Sequence, residues 1–289
     1  MATATPETRV LYGAGRQSPV RLVAQGLTDI WSRRRLARYL VQADLTKKGA
    51  DTLLGNIWWV MDPLLQMLVY VALITFVARG ALQIEDFPLF VFAAILPWKW
   101  FSAAVNDAIL SVVSRERIIK QVAFPKIILP VAATVGGVAN FAFGIIPLLG
   151  LMLLFYRERI AWTLLLIPLI AVVQFAFTLG VAIVLGALNV FYRDVANVAR
   201  HILRLWFYLS PALYSLEAIS GILDQQPLVR IVFALNPFTY LFEAYRNVIY
   251  AGTVPAWAEL GGLLLVSIAV LGFCIYLFKR LEPAFAKVL

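Results

Sequence analysis

Six stretches of the chain, at about 57–78, 87–113, 127–155, 162–190, 197–216 and 257–278, each approach or exceed the ~20 mostly apolar residues that a helix needs to cross a hydrocarbon layer. The chain is 62% hydrophobic and 14% charged over 289 residues, whereas a soluble domain carries about 25% charged residues. No water-soluble core of this length uses so much apolar surface. Inside lipid a helix satisfies its own backbone hydrogen bonds, so the reading is an all-α integral membrane protein with six transmembrane helices. Residues 1–25 hold no uninterrupted apolar core, which argues against a cleaved signal peptide.

The formal charge of +9 raises the question of nucleic acid. The placement of the 25 lysines and arginines answers it. Only Arg79, Arg157, Arg159, Arg230 and Arg246 fall in the loops on one side of a six-span arrangement. The rest, Lys99 apart, precede the first span, follow the second and fourth, or follow the last. Cytoplasmic loops are enriched in Lys and Arg, so both ends are expected in the cytoplasm, and the basic balance needs no nucleic-acid partner.

Three segments outside the spans carry pattern. Residues 22–46 place Leu27, Ile30, Trp31, Ala37, Leu40, Val41 and Leu45 on one broad helical face, with Arg35, Tyr39 and Gln42 opposite. This fits an amphipathic helix on the membrane surface with its arginines among headgroups; a solvated basic tail is the plainer alternative. The division expected is a tail over 1–25, an amphipathic helix and linker over 26–56, and a transmembrane domain over 57–289. Between spans five and six, 217–256 is broken by Gly221, Pro227, Pro237, Gly252 and Pro255 into pieces too short to cross, which predicts short re-entrant helices. The loop "SRERIIKQVAFPKIILP" (114–130) is too short and apolar for a free linker. It predicts a short surface helix presenting Ile118, Ile119, Val122 and Phe124 to another protein, or else an ordinary basic loop.

Several chemistries are poorly supported. No phosphate-cradling G-x-x-x-x-G-K-[ST] occurs, so the chain holds no nucleotide by that route. With one cysteine (Cys274) and one histidine (His201), neither a disulfide framework nor a Cys/His metal site is expected. Asp62, Lys99 and Asp107 are thin material for a proton or sodium relay. A transferase acting on lipid-linked sugars needs a convergent acid/base set that these residues do not supply.

"LLGNIWWVMDPLL", "LPWKWF" and "IIKQVAFPKIILP" resemble the export permeases of the second ABC transporter type, most closely the branch exporting polysaccharide and polyol phosphate such as O-antigen and teichoic acid. "NVFYRDVANV", "LSPALYSL", "NPFTYLFEAYRNVIY" and "EPAFAKVL" extend the likeness in order from about residue 36 to 289. The resemblance implies a homodimer in the bacterial cytoplasmic membrane, docked on two ATPase subunits that hold the ATP and Mg. It also implies a coupling helix made of Arg115, Glu116, Arg117, Ile118, Ile119, Lys120 and Gln121. The expected substrate is a lipid-linked glycan, with a small-hydrophobe or drug exporter of the same superfamily as the alternative. The chain departs from the family's usual "LPWNFF" at Lys99.

A polymer too long to be enclosed suits a channel whose aromatic faces and hydrogen-bonding groups release as readily as they bind. Spans one and two offer Trp58, Trp59, Asp62, Gln66, Tyr70, Trp98, Lys99, Trp100, Phe101 and Asn106 for such a lining. For Trp58 and Trp59, an interfacial belt is the competing reading. Lys99 is open to three: a channel cation meeting a phosphate-bearing headgroup, a lysine snorkelling from a break at Pro97, or a partner of Asp62. Depth counts against the last, because Asp62 lies about one helical turn inside the cytoplasmic end of its span and Lys99 roughly 20 Å from that end at 1.5 Å per residue. On the outer side, Asn236, Tyr240, Glu243 and Arg246 form a candidate gate, with Glu243 and Arg246 one turn apart and placed to pair.

Overall fold

The computed structural model describes residues 18–49, 55–77 and 84–289. The tail with Arg9 and Arg16, the linker at 50–54 and the loop holding Arg79 lie outside these residues. The first two helices of the described residues are α1 (Pro19–Ser32) and α2 (Arg34–Gly49). They are followed by α3 (Trp58–Ala72), which a π-turn at Leu73–Val77 extends, and α4 (Phe87–Ser111). Next come the short α5 (Glu116–Gln121), α6 (Ile128–Phe155), α7 (Ile167–Phe191) and α8 (Val195–Tyr208). Three short helices, α9 (Ser220–Gln225), α10 (Pro227–Leu235) and α11 (Pro237–Ile249), precede the long α12 (Trp257–Val288). No strand occurs among the described residues.

Among the described residues five helical stretches are long and apolar enough to cross a membrane: Trp58–Phe76, Phe87–Ser111, Ile128–Phe155, Trp162–Phe191 and Trp257–Phe285. The expected span at 197–216 is instead the 14-residue α8, short of the ~20 residues a full crossing takes. Its run stops at Tyr208 because the chain turns through Ser210 and Pro211 into the short helices.

The centre of the bundle is α4. In its most apolar window 78% of residues are buried, against 17% in α3, so α4 is core and α3 is a flank. Pro97 does not break α4, which stays helical from Phe87 to Ser111; this removes the snorkelling break. Two buried amides on α7 tie it to α4: Gln174 Nε2 donates to the Pro97 carbonyl at 2.8 Å and Asn189 Nδ2 to that of Ile109 at 3.0 Å. Side-chain amides bonding across helices in an apolar medium contribute about 1 kcal/mol each. On its other face α7 comes close to α12, where a Cβ on Gly180 would lie 3.2 Å from the Leu271 Cα.

The ends of the bundle differ. At one end Arg159 donates to the Asp86 carboxylate at 3.0 and 2.8 Å and sits 4.8 Å over the Tyr250 ring, whose hydroxyl donates to the Glu85 carbonyl at 2.9 Å. Asp86 adopts a left-handed φ of 47° to start α4, and the two hydrogen bonds from Arg159 offset the cost of that conformation. The opposite end is basic. There α1 lies against α12, with Leu22 and Gly26 buried and Lys279 Nζ donating to Asp29 at 2.8 Å and to Glu282 at 2.6 Å. The N-terminal helix therefore begins at Pro19, capped by Ser18, rather than near residue 26, and Arg33 divides it in two. Trp31 and Tyr39 are exposed.

Candidate functional site

The expected lining residues separate into three groups. The first surrounds a cleft of about 220 Å³ between α3, α4 and α6, lined by Trp58, Trp59, Asp62, Lys99, Trp100, Asn140 and Phe141 among others. Trp59 rests on Phe143 of α6 with ring centroids 5.0 Å apart, and Trp100 stacks on Phe141 at 4.7 Å. Lys99 donates to the Asp62 carboxylate and forms an ion pair with it. The depth argument against this pair fails because α3 does not start flush with the basic end of α4. Trp58 and Trp59 line the cleft together with Ala103, so α3 starts well inside the bundle and Asp62 comes level with Lys99. A lysine with its charge matched in this way is a poor free cation for a phosphate.

The second group is core, not lining. Trp98 and Phe101 are 5% and 0% exposed. Both pack on Phe238 of α11 with centroids 4.7 Å apart, and Trp98 also meets Phe207 of α8 at 5.5 Å. This knot of rings holds α4, α8 and α11 together. Their i, i+3 spacing places the two rings on one helix face, but from sequence that face looked equally suited to a channel.

The third group is occupied locally. Gln66 Nε2 lies 3.4 Å from the Tyr70 hydroxyl, and the buried Tyr70 ring stacks on Phe207 at 5.6 Å. Asn106 Nδ2 donates to the Ser102 carbonyl of its own helix at 2.7 Å.

The short helix α5 starts at Glu116, one residue after the expected Arg115, ends at Gln121 as expected, and ties to several other segments. Arg115, just before it, donates through Nη2 to both oxygens of Asp44 on α2 at 2.6 and 2.7 Å, a charge-assisted contact between the two segments. Lys120 donates to Glu116 at 2.7 Å, which keeps that carboxyl below the usual carboxylate range, and to the main-chain oxygen of Leu289 at 2.6 Å. Arg193, between α7 and α8, reaches Glu116 at 4.0 Å. Ile119 and Phe124 are not presented outward: Ile119 is buried and Phe124 packs against the same apolar cluster. Ile118, Val122, Arg117 and Gln121 remain exposed.

The candidate gate is rearranged as well. Arg246 is 3% exposed and forms no ion pair with Glu243, which points outward. Its Nη2 donates to the Ala212 carbonyl at 2.7 Å and its Nη1 and Nε face those of Tyr214 and Phe90 at 3.4 and 3.5 Å; the guanidinium lies 3.6 Å over the Phe90 ring. Asn236 caps α11 by accepting from Phe238 N at 3.0 Å, accepts from Trp206 Nε1 at 3.0 Å and donates to Ser210 at 2.8 Å. Tyr240 donates to the Ala234 carbonyl at 2.9 Å. Asn236 and Arg246 thus secure the turn that follows α8, and Tyr240 ties α11 back to α10. Sequence reasoning missed Asp44, Gln174 and Asn189; each is one polar residue in an otherwise plausible helix, and only its cross-helix partner marks it.

A bundle of apolar membrane-length helices, with a short charged helix held among other segments at its basic end, is that of a multi-pass membrane protein. The profile of the ABC-2 type transporter family matches residues 35–250, and the chain belongs to that family. It is 32% identical over 259 residues to the O-antigen export system permease protein RfbA of Myxococcus xanthus, covering 90% of this chain and 97% of that one. A protein of the same name from Klebsiella pneumoniae is 27% identical over 252 residues, covering 86% and 93%.

Proposed function

We propose that this chain is the membrane subunit of an ATP-driven exporter that carries a lipid-linked polysaccharide of the O-antigen type across the bacterial cytoplasmic membrane. The observation that carries this reading is near full-length similarity to a permease named for O-antigen export. In this account two copies pair to form the conduit, and two ATP-hydrolysing subunits, which hold the ATP and Mg, dock on α5. Both ends of the chain lie in the cytoplasm, α1 and α2 rest on the inner leaflet, and α8 with the short helices α10 and α11 makes an incomplete fifth passage with re-entrant pieces. The apolar, exposed faces of α3 (Leu65, Val69, Phe76) and α8 (Val198, Ile202, Leu205) suit burial against a second copy. The Arg115–Asp44 and Lys120–Leu289 contacts suit a helix that passes a push to the whole basic end.

The test is genetic and chemical. Deleting the chain should leave lipid-linked polysaccharide inside the cell and strip it from the surface, as read by surface labelling and lipid extraction, with both restored by the wild-type chain. Unchanged surface polysaccharide after deletion would refute the proposal.

A further inference from the structure

Helix α1 and the basic end of α12 enclose an apolar groove of about 560 Å³, lined by Val20, Val23, Leu27, Gly272, Phe273 and Tyr276 among others. The two helices touch tightly beside it, where a Cβ on Gly26 would lie 2.4 Å from Ile275 Cγ2. The groove itself is open: Val20, Leu27 and Phe273 are 78%, 52% and 60% exposed. Apolar walls left against water are unfavourable in proportion to their area, so the lining calls for an apolar occupant. Its depth says which kind. Gly272, Phe273 and Tyr276 belong to the membrane-length stretch Trp257–Phe285. Phe273 precedes Lys279, the first cation at that end of α12, by roughly 9 Å at 1.5 Å per residue. The groove therefore opens at the level of acyl chains.

A cation marks the mouth. Arg280 lies one helical turn past Tyr276, and its Nη1 donates to the Tyr276 hydroxyl at 2.9 Å. The Arg280 side chain is exposed and meets no carboxylate among the described residues. The acids of this corner, Asp29 and Glu282, are both held by Lys279 at 2.8 and 2.6 Å. Arg280 keeps donors to spare, and the Tyr276 hydroxyl, having accepted one bond, keeps its proton to give. Both suit the oxygens of a phosphate at the end of an acyl chain. Trp31 shares the α1 face of Val20 and Leu27 at 100° per residue and carries the Arg34 guanidinium 5.1 Å over its ring. An indole and a second cation thus stand on the same side of α1, as at a headgroup boundary. A water-soluble partner does not reach walls at this depth, and the faces suited to a second copy are on α3 and α8, which do not line the groove. A zwitterionic headgroup would bring its own ammonium to an arginine that lacks an acid.

We propose that this groove is a binding site for one anionic phospholipid of the leaflet that α1 meets, with an acyl chain between α1 and α12 and the phosphate accepting from Arg280 and from the Tyr276 hydroxyl. This rests on the reading of the chain as a membrane subunit with α1 on the inner leaflet, and adds to it a lipid class and the residues that select it.

The test reconstitutes the full chain in bilayers of equimolar phosphatidylglycerol and phosphatidylcholine with matched acyl chains. The protein is recovered in mild detergent, and the lipids it retains are counted by native mass spectrometry. Wild type should retain phosphatidylglycerol in preference. Arg280→Gln should reduce that preference about five-fold, the scale of one basic residue at an anionic surface, whereas Arg230→Gln, an exposed arginine on α10, should leave it in place. Gly272→Leu puts a side chain into the groove where nothing lies within 4 Å of the Cβ position, and should lower retention of both lipids. Equal retention of the two lipids by wild type, an unchanged preference in Arg280→Gln, or an equal loss in Arg230→Gln would overturn the site. So would unchanged retention in Gly272→Leu, and if that variant also split a dimer the groove would belong to a second copy. The permease reading fails separately, by the deletion experiment above, so a chain that restores surface polysaccharide but shows no lipid preference loses only this site.

Discussion

Arg246 shows how a buried cation is held without an acid. Its sequence neighbour Glu243 is one turn away, and spacing alone predicts a pair. The structure uses the guanidinium fork instead, because the non-helical turn at Ala212–Tyr214 leaves carbonyls that a helix would have satisfied internally. Arg246→Ala should therefore cost about 3 kcal/mol, the scale for stranding buried polar groups, and lower the unfolding temperature in detergent. Arg246→Lys should restore little of it, since one ammonium cannot reproduce the fork. Full stability in the Lys variant would mean that charge alone matters. For Lys99 and Asp62 the prediction is a coupling. Asp62→Asn and Lys99→Gln should each cost up to about 1 kcal/mol, the scale of a solvent-exposed pair, and the double variant should cost less than their sum in a double-mutant cycle of unfolding. Additive losses would contradict the pairing.

At the scale of elements, the helices themselves were legible because apolar length and proline or glycine punctuation are local properties. Helix α5 follows the charged bend between Ser114 and Pro125, and the break at Pro237 starts α11 where the sequence predicts a short helix. Stagger and partner choice were not legible. Nothing local states that α3 starts level with Ala103, or that Asp44 meets Arg115 across 71 positions. That contact joins the surface helix α2 to the charged bend, so it should carry motion between them. Arg115→Glu is expected to reduce ATP-driven export about 10-fold, within the range of typical coupling energies, and the exchange Asp44→Arg with Arg115→Glu to recover most of it. An exchange no better than the single variant would show that the contact does not transmit. Helix packing gives a second check. Gly180→Val drives a side chain against the Leu271 backbone and should destabilise by about 1–3 kcal/mol. Gly150→Val, with open space around its Cβ position, should be close to neutral in the same thermal unfolding assay.

For the whole molecule, composition and charge asymmetry were enough to predict a multi-pass helical membrane protein, and seven short motifs in order were enough to suggest its family. The site was read less well. Of the rings expected to line a channel, Trp98 and Phe101 are packed into the subunit's own core, because an aromatic face suited to a sugar is equally suited to another ring and sequence spacing does not tell them apart. Of the residues expected to line a channel, Trp58, Trp59, Asp62, Lys99 and Trp100 border the cleft between α3, α4 and α6. The central claim is that this chain is the passage and a separate ATP-hydrolysing subunit the motor. It is tested most directly in proteoliposomes holding this chain together with the ATPase that co-purifies with it. ATP should move labelled lipid-linked polysaccharide to the protected side of the vesicle, and omission of either protein should abolish the movement. Transport by this chain alone without ATP, or none by the pair with ATP, would contradict the account.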